Sequence, residues 1–145
     1  MAHALAAAHE AAALGEVPVG AIVAYRGFIV GRGFNLREQR QSVTAHAEIL
    51  ALEEASRILG TWRLEDCQVY VTLEPCPMCA AALQQARVSE IIFGTRDPKA
   101  GAVISRDTFF LRPGLNHYPA VSEGIFREAC SKVLKDFFRD LRSRS

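Results

Sequence analysis

Two short motifs constrain the fold of this chain more than any other feature, because side chains from both must meet at one point. The first is His46-Ala47-Glu48, and the second is Pro75-Cys76-Pro77-Met78-Cys79. His46, Cys76 and Cys79 are of the residue types that bind zinc. A structural zinc site uses four protein ligands, whereas a catalytic site uses three and leaves a position for water. The sequence therefore predicts an open zinc centre, with Glu48 close enough to exchange protons with that water.

The local sequence places both motifs at helix N-termini. Pro77 suits the first turn of a helix, and the alanines and glutamines that follow are compatible with one. Cys76 and Cys79 then lie on one face, near free backbone N–H groups and the positive end of the helix dipole, which favours thiolates. Thr44 is expected to cap a second helix that begins near Ala45. Two helix N-termini that face one metal would assemble the site.

The cysteine pair has two other interpretations. A Cys-x-x-Cys pair also occurs in redox motifs and as half of a zinc ribbon. A ribbon needs a second pair, and the remaining cysteines, Cys67 and Cys130, are single. A redox function leaves the His-x-Glu motif and the two prolines unexplained. We therefore interpret the motifs as a catalytic zinc site, and Cys67 and Cys130 as buried apolar residues.

Composition favours one globular domain over residues 1–145. Half of the 145 residues are hydrophobic, which is enough for a core. The net charge of +1 neither requires nor excludes a nucleic-acid partner, so any such site must be a local patch. The sequence predicts no membrane span and no signal peptide, and two cysteines committed to metal favour a reducing compartment. We expect a cytoplasmic protein.

Hydrophobic periodicity predicts alternating strands and helices after an initial hairpin. Strands are predicted at 17–25, 28–33, 67–73 and 90–93, and helices at 2–14, 45–59, 77–88 and 122–141. Residues 34–43 are polar and predict a loop. This order indicates a three-layer α/β domain with a mixed sheet. Both motifs then lie off the carboxyl ends of strands, where ligands bind in open α/β sheets.

A His-x-Glu motif followed by Pro-Cys-x-x-Cys is typical of zinc-dependent nucleobase deaminases. Nearly the whole chain resembles the bacterial tRNA-specific adenosine deaminases, the TadA family, which have the cytidine-deaminase-like fold. Besides the His-x-Glu motif, the resemblance extends over five stretches, and the first and last of them point most narrowly to tRNA deaminases. These are residues 16–21, 33–35, 70–76, 93–97 and 136–139.

The resemblance implies a three-layer α/β/α cytidine-deaminase-like fold with a mixed central sheet, and a reaction. Adenosine at the wobble position of a tRNA anticodon stem-loop would become inosine, with release of ammonia. One Zn²⁺ per chain, on His46, Cys76 and Cys79, would activate a water to attack C6 of adenine. Glu48 would shuttle the protons. The family also works as a homodimer.

Four further residues are candidate substrate contacts. Asn35 matches a family residue that hydrogen-bonds the base, although Asn also commonly ends strands in a turn. Asp97 would touch the ribose or position the loop over the pocket, or it would only cap that loop. Phe138 is a candidate for stacking on a flanking base, and Arg139, with the arginines after it, for phosphate contacts. A charged helix end also favours the helix dipole without any ligand.

Two other functions remain open on sequence alone. A zinc deaminase of guanine, cytosine or a free nucleoside would carry a similar motif. Cytidine deaminases usually have Cys in place of His46, but guanine and cytosine deaminases keep the His. A non-catalytic partner subunit or RNA-binding module with a structural zinc would typically lack Glu48. The aromatic and basic C-terminal helix favours RNA as the substrate.

Overall fold

The computed structural model describes residues 1–144 and contains one mixed sheet of five strands within them. The strands are β1 (Gly20–Tyr25), β2 (Phe28–Phe34), β3 (Cys67–Leu73), β4 (Glu90–Thr95) and β5 (Ala120–Glu123). Their order across the sheet is β2-β1-β3-β4-β5. β1 is antiparallel to both of its neighbours, whereas β3, β4 and β5 run parallel. The predicted mixed sheet is therefore confirmed.

Helices cover both faces of this sheet. They are α1 (Ala2–Ala13), α2 (Arg37–Arg40), α3 (Ala47–Leu59), α4 (Pro77–Gln85) and α5 (Arg127–Ser143), with a 3-10 turn at Phe109–Leu111. α3 packs on β1 and β2 and contacts α4, whereas α1 packs across β1, β2 and β3 and contacts α5. The predicted three-layer α/β/α arrangement is confirmed. Within residues 1–144, no helix combines the length and the apolar character that a membrane span requires.

Burial on both faces explains the composition of the central strands. β1 and β4 each contain four consecutive buried residues, because helices cover the sheet above and below them. The β1–β2 hairpin turns at Arg26 and Gly27, which both have positive φ, at 51° and 82°. A two-residue turn with positive φ at both positions matches the twist of the two strands that it connects. The predicted turn is confirmed at these two positions.

Glycines on β2 allow α3 to approach the sheet closely. A Cβ on Gly33 would lie 2.4 Å from the carbonyl oxygen of Ala47, and one on Gly31 would lie 2.2 Å from that of Ala51. Ala47 and Ala51 are fully buried, so small residues meet small residues along this contact. The first turn of α3, which carries Glu48, is thereby fixed against the sheet.

The predicted cap of α3 is wrong. The helix begins at Ala47, His46 occupies the N-cap position with an extended backbone, and no side chain caps it. Thr44 lies two residues further out, where its hydroxyl oxygen is 3.2 Å from that of Ser42. His46, a predicted zinc ligand, thus occupies the position at which a side-chain hydroxyl usually caps a helix.

Two other boundaries differ from the prediction because long-range contacts set them. Residues 37–40, predicted as loop, form α2. Two backbone amides of this helix donate hydrogen bonds to the buried carboxylate of Glu16. Residues 120–123 pair with β4 as β5, so the last helix begins only at Arg127. The hydrophobic periodicity of these two segments carries no information about Glu16 or β4. Contacts with distant parts of the chain therefore determine their secondary structure.

Candidate active site

His46, Cys76 and Cys79 come together at the carboxyl end of β3. His46 is the N-cap of α3, Cys76 is the N-cap of α4, and Cys79 lies in the first turn of α4. Nδ1 of His46 lies 3.7 Å from Sγ of Cys76 and 3.5 Å from Sγ of Cys79. All three ligand atoms lie within 4.8 Å of one another.

These distances fit a zinc ion. With Zn–S bonds of about 2.3 Å and Zn–N bonds of about 2.0 to 2.1 Å, tetrahedral geometry separates N and S by about 3.6 Å. The two N–S distances, 3.5 and 3.7 Å, bracket that value. One imidazole and two thiols are also the donor set of catalytic zinc sites. The predicted open centre therefore has the geometry to hold zinc through Nδ1 of His46.

Hydrogen bonds within the group ionise one sulfur. A hydrogen bond from the Cys79 thiol, assisted by His46, lowers the pKa of Cys76 to about 4. The same hydrogen bond and burial raise the pKa of Cys79. The hydrogen bond with Cys76 raises the pKa of His46. Because zinc binds thiolates, Cys76 is prepared for the metal and Cys79 loses its proton on binding.

Glu48 is a buried carboxyl group next to the three ligands. It is the second residue of α3 and is 4% exposed. Burial raises its pKa to about 7, and its side chain also interacts with Cys79. A carboxyl group that titrates near neutral pH can both accept and donate a proton during a reaction. This geometry suits the proton transfers expected from the sequence.

A cavity of about 210 Å³ opens beside these residues. His46, Glu48 and Cys76 line it, together with two of the predicted substrate contacts, Asn35 and Asp97. Enzymes that act on a nucleobase take it into a pocket out of its stack. The structure therefore brings five of the predicted site residues to one pocket.

Asn35 and Asp97 also bond to the backbone of their own loops. Nδ2 of Asn35 donates to the carbonyl of Val17 at 3.2 Å, and Oδ1 accepts from the amide of Arg37 at 3.0 Å. Oδ1 of Asp97 accepts from the amides two and three residues further along the chain. The turn and loop-cap interpretations thus describe contacts that exist, on side chains that also face the cavity.

Phe138 and Arg139 lie outside this cavity. Phe138 is 41% exposed and lines a separate cleft of about 400 Å³ between α5 and the loop after β4. Four basic residues share the lining of that cleft: Arg96, Lys99, Lys135 and Arg142. Arg139 does not line this cleft and pairs with Asp136 at 3.2 Å and Asp140 at 3.7 Å. Within the cleft, Arg96 pairs with Glu123 at 2.9 Å. A local basic patch is therefore present, but Arg139 is not among its members.

Sequence patterns did not indicate Glu74, which also lines the cavity. It is 2% exposed, and burial would raise the pKa of its carboxyl group. Hydrogen bonds from Ser105, Ile104 and Asp97 outweigh this effect, so the pKa lies below its usual value. The one available signal was an acidic residue between an apolar strand and the cysteine motif.

Comparison with known proteins places the chain among deaminases. The model of the MafB19-like deaminase family matches residues 1–142. The tRNA-specific adenosine deaminase of Bacillus subtilis (strain 168) is 44% identical over 144 residues, which cover 99% of this chain and 89% of that protein. The chain belongs to the tRNA-specific adenosine deaminase family. The family predicted from the sequence is thereby confirmed for this deaminase.

Solved structures agree with this assignment. The deaminase is similar, with a TM-score of 0.90 and 41% identity, to a structure from a study of A-to-I editing by tRNA:A34 deaminases at the wobble position of transfer RNA. That match covers 92% of this chain and 97% of the other. A guanine deaminase from Nitrosomonas europaea is less similar, with a TM-score of 0.82 and 25% identity over 94% of this chain and 81% of the other. The predicted cytidine-deaminase-like fold is confirmed.

The metal site generates the first prediction. Purified protein should hold one zinc ion per chain, and Cys76→Ala or Cys79→Ala should lose most of it. Both variants should also melt at a lower temperature, because metal binding contributes to the free energy of folding. Metal analysis by mass spectrometry and thermal unfolding measure the two effects.

Cys67→Ala is the matched control for this experiment. Cys67 is a fully buried cysteine at the opposite end of β3. Its replacement should cost some packing energy but leave the zinc content unchanged. Full zinc occupancy in both Cys76→Ala and Cys79→Ala would contradict the ligand assignment.

Proposed function

We propose that a single domain spanning residues 1–145 deaminates adenosine to inosine at the wobble position of a tRNA anticodon. The observation that carries this proposal is the buried Glu48 beside a three-ligand zinc site, in a chain of the tRNA-specific adenosine deaminase family. In a structural zinc site, protein ligands fill all four positions, and no buried acid is needed beside them. Because the proposed substrate is a tRNA, we also propose that the protein acts in the cytoplasm.

Metal and acid divide the chemistry between them. Zinc held by His46, Cys76 and Cys79 supplies a Lewis acid that makes water nucleophilic near neutral pH. Glu48 would accept one proton from the attacking water and deliver it to N1 of adenine, and would then carry the second proton from the new C6 hydroxyl to the amino group, which leaves as ammonia. Its raised pKa, about 7, supports these transfers by one carboxyl group.

The pocket wall orients the base. The amide of Asn35 offers a donor and an acceptor to the purine edge, and Asp97 lies within reach of the ribose or holds its loop over the base. Because His46 and Glu48 line a cavity, the target adenosine must leave the stack of the anticodon loop before it reaches them. A flexible loop makes this extrusion less costly than it would be in a duplex.

The cleft beside α5 suits the rest of the anticodon stem-loop. Phe138 offers a partly exposed ring on which a flanking base can stack. Arg96 and Lys99 flank Asp97 in sequence, so the basic cleft and the pocket share one loop. Arg139 adds a partly neutralised charge next to the cleft. Phosphates bound here would hold the RNA while one nucleotide enters the pocket.

We further propose that two copies pair through the exposed side of α3 and α4. A wide cleft of about 790 Å³ lies there, lined mainly by apolar side chains that include Ile49, Leu52 and Ala82. Trp62, at its edge, is 60% exposed. A contiguous apolar surface of this kind marks a protein interface, and a symmetric pair of identical chains is the commonest one.

Glu48→Gln should separate the chemistry from metal binding. The variant keeps the shape of the side chain but cannot shuttle protons, so kcat should fall by about 10²- to 10⁴-fold. Its zinc content should stay at one per chain. The exposed Glu65 offers the control, since Glu65→Gln is the same substitution outside the pocket and should retain full activity. Loss of zinc in Glu48→Gln would make Glu48 a ligand, contrary to the open-site assignment.

The substrate is tested with tRNA and free bases side by side. Inosine should form in tRNA that has adenosine at the wobble position, as mapped by sequencing, whereas free adenosine, adenine and guanine should react poorly. RNA affinity should fall as salt rises, because neutralised phosphates release counterions. Phe138→Ala should weaken RNA binding by about 1 to 3 kcal/mol without loss of zinc.

Phe28→Ala is the control for stacking, because this ring is 75% exposed on the β1–β2 hairpin, away from α5. Its RNA affinity should match that of the wild type. Efficient deamination of free guanine, with no inosine in tRNA, would favour the small-molecule alternative.

The dimer is tested by placing a charge in the apolar cleft. Trp62→Glu should convert the protein from dimer to monomer in sedimentation velocity, because an unpaired carboxylate resists burial in an interface. Leu111→Glu introduces the same charge at a site that is 78% exposed and outside the cleft, and should remain dimeric. A wild-type protein that is monomeric at micromolar concentration would exclude this interface.

A further inference from the structure

We propose that two buried carboxylates, Glu16 and Glu74, are positioning residues that hold two segments of the pocket wall in place for the target base. Neither is among the zinc ligands, and neither takes part in the proton transfers assigned to Glu48. The proposal rests on the proposed function, because its effect on catalysis is measured with tRNA. Its structural part can be tested without any substrate.

The distribution of buried acids first indicates this arrangement. Within residues 1–144, three acidic residues are buried: Glu16, Glu48 and Glu74. Glu48 and Glu74 line the pocket, and Glu16 precedes Val17, which lines it too. Acidic residues are almost never fully buried unless they are paired, so their concentration around one cavity requires a local cause.

Glu74 binds the loop that follows β4. Its Oε2 accepts from the amides of Val103, Ile104 and Ser105, at 3.1, 2.8 and 3.0 Å. Its Oε1 accepts from the amide of Asp97 at 3.0 Å and from the hydroxyl of Ser105. One side chain thus fixes both ends of a segment that runs from residue 97 to residue 105.

The same segment is closed tightly onto the carboxylate. A Cβ on Gly101 would lie 2.3 Å from Cδ of Glu74, so only glycine fits there. Asp97 and Ala100, within this segment, line the pocket. No helix or strand holds that part of the wall, so its position depends on the bonds to Glu74, together with backbone bonds such as that from the Ala102 amide to the carbonyl of Pro75.

Glu16 binds the other segment in a similar way. Its Oε1 accepts from the amide of Glu38 at 3.1 Å, and its Oε2 accepts from that of Gln39 at 2.7 Å. Asn35 and Arg37, immediately before these amides, line the pocket. Glu16 therefore anchors the short α2 and, with it, the residues proposed to meet the base.

The chemistry of these bonds requires a carboxylate and not merely a side chain of its size. Within residues 1–144, the hydrogen-bond partners of the two carboxylates are all donors, and an ionised carboxylate is an acceptor only. Glutamine would turn an NH₂ group toward backbone N–H groups, which would leave buried donors unsatisfied. Glu16→Gln and Glu74→Gln should therefore loosen their loops while they preserve packing volume.

Amide hydrogen exchange tests the structural part on the zinc-loaded protein. Glu74→Gln should speed exchange at Asp97 and at residues 103–105, and leave Glu38 and Gln39 protected. Glu16→Gln should do the reverse. Zinc content should remain one per chain in both variants. Unchanged exchange in either variant would overturn the assignment of that carboxylate, whatever its activity.

Single-turnover kinetics test the functional part. At saturating tRNA, each variant should react about 10- to 100-fold more slowly, because a misplaced wall holds the base outside its reactive geometry. RNA affinity should stay unchanged in Glu16→Gln, because α2 contributes no residue to the cleft beside α5. It should fall in Glu74→Gln, which also loosens the loop that carries Lys99 of that cleft. Leu64→Ala, a buried core variant outside both loops, is the control for a general loss of stability and should react at the wild-type rate.

Two kinetic results would overturn the proposal. One is a wild-type rate in the variants despite faster loop exchange. The other is a loss of rate in Leu64→Ala equal to that in Glu74→Gln when the melting temperatures fall equally. A wild-type protein that forms no inosine in tRNA would instead refute the proposed function, and the exchange data would still decide whether the carboxylates hold the loops.

Discussion

The close contact between α3 and β2 is the constraint on which the site depends. Gly31 and Gly33 allow backbone atoms of α3 to lie where a Cβ would otherwise be, and this fixes the start of the helix. His46 and Glu48 lie at that start, so their positions follow from packing between small residues. β3, paired in the same sheet, brings Cys76 and Cys79 to within 3.7 Å of Nδ1 of His46. A rigid scaffold of this kind is what a preorganised site requires.

Much of this could be predicted from the sequence. The spacing of His46, Glu48, Cys76 and Cys79 specified a three-ligand site with a separate acid, and Pro77 correctly marked the start of α4. These signals are local, because the residues of each motif lie within one helical turn of each other. The alternation of strands and helices was sufficient for the layers and for the mixed sheet.

What the sequence could not provide were contacts between distant segments. Thr44 was predicted as the cap because helix propensity does not take into account that His46 also serves as a candidate zinc ligand. Residues 120–123 became a strand because β4 offered an unpaired edge, and residues 37–40 became a helix beside the carboxylate of Glu16. The basic cleft was likewise expected on α5 alone, whereas Arg96 and Lys99 reach it from the loop after β4.

Glu48 and Glu74 show how the fold assigns different properties to the same residue type. Both are almost fully buried and both line one cavity. Burial prevails at Glu48 and raises its pKa to about 7, so the group can exchange protons. At Glu74 the hydrogen bonds from the loop prevail and lower the pKa, so the group stays ionised and can hold backbone amides. Pairs of carboxyl groups whose environments move their pKa values apart can hold different protonation states in one site. At equal depth, the hydrogen-bond donors around each carboxyl group therefore account for the opposite directions of the two pKa shifts, which suit a proton shuttle at Glu48 and a fixed acceptor at Glu74.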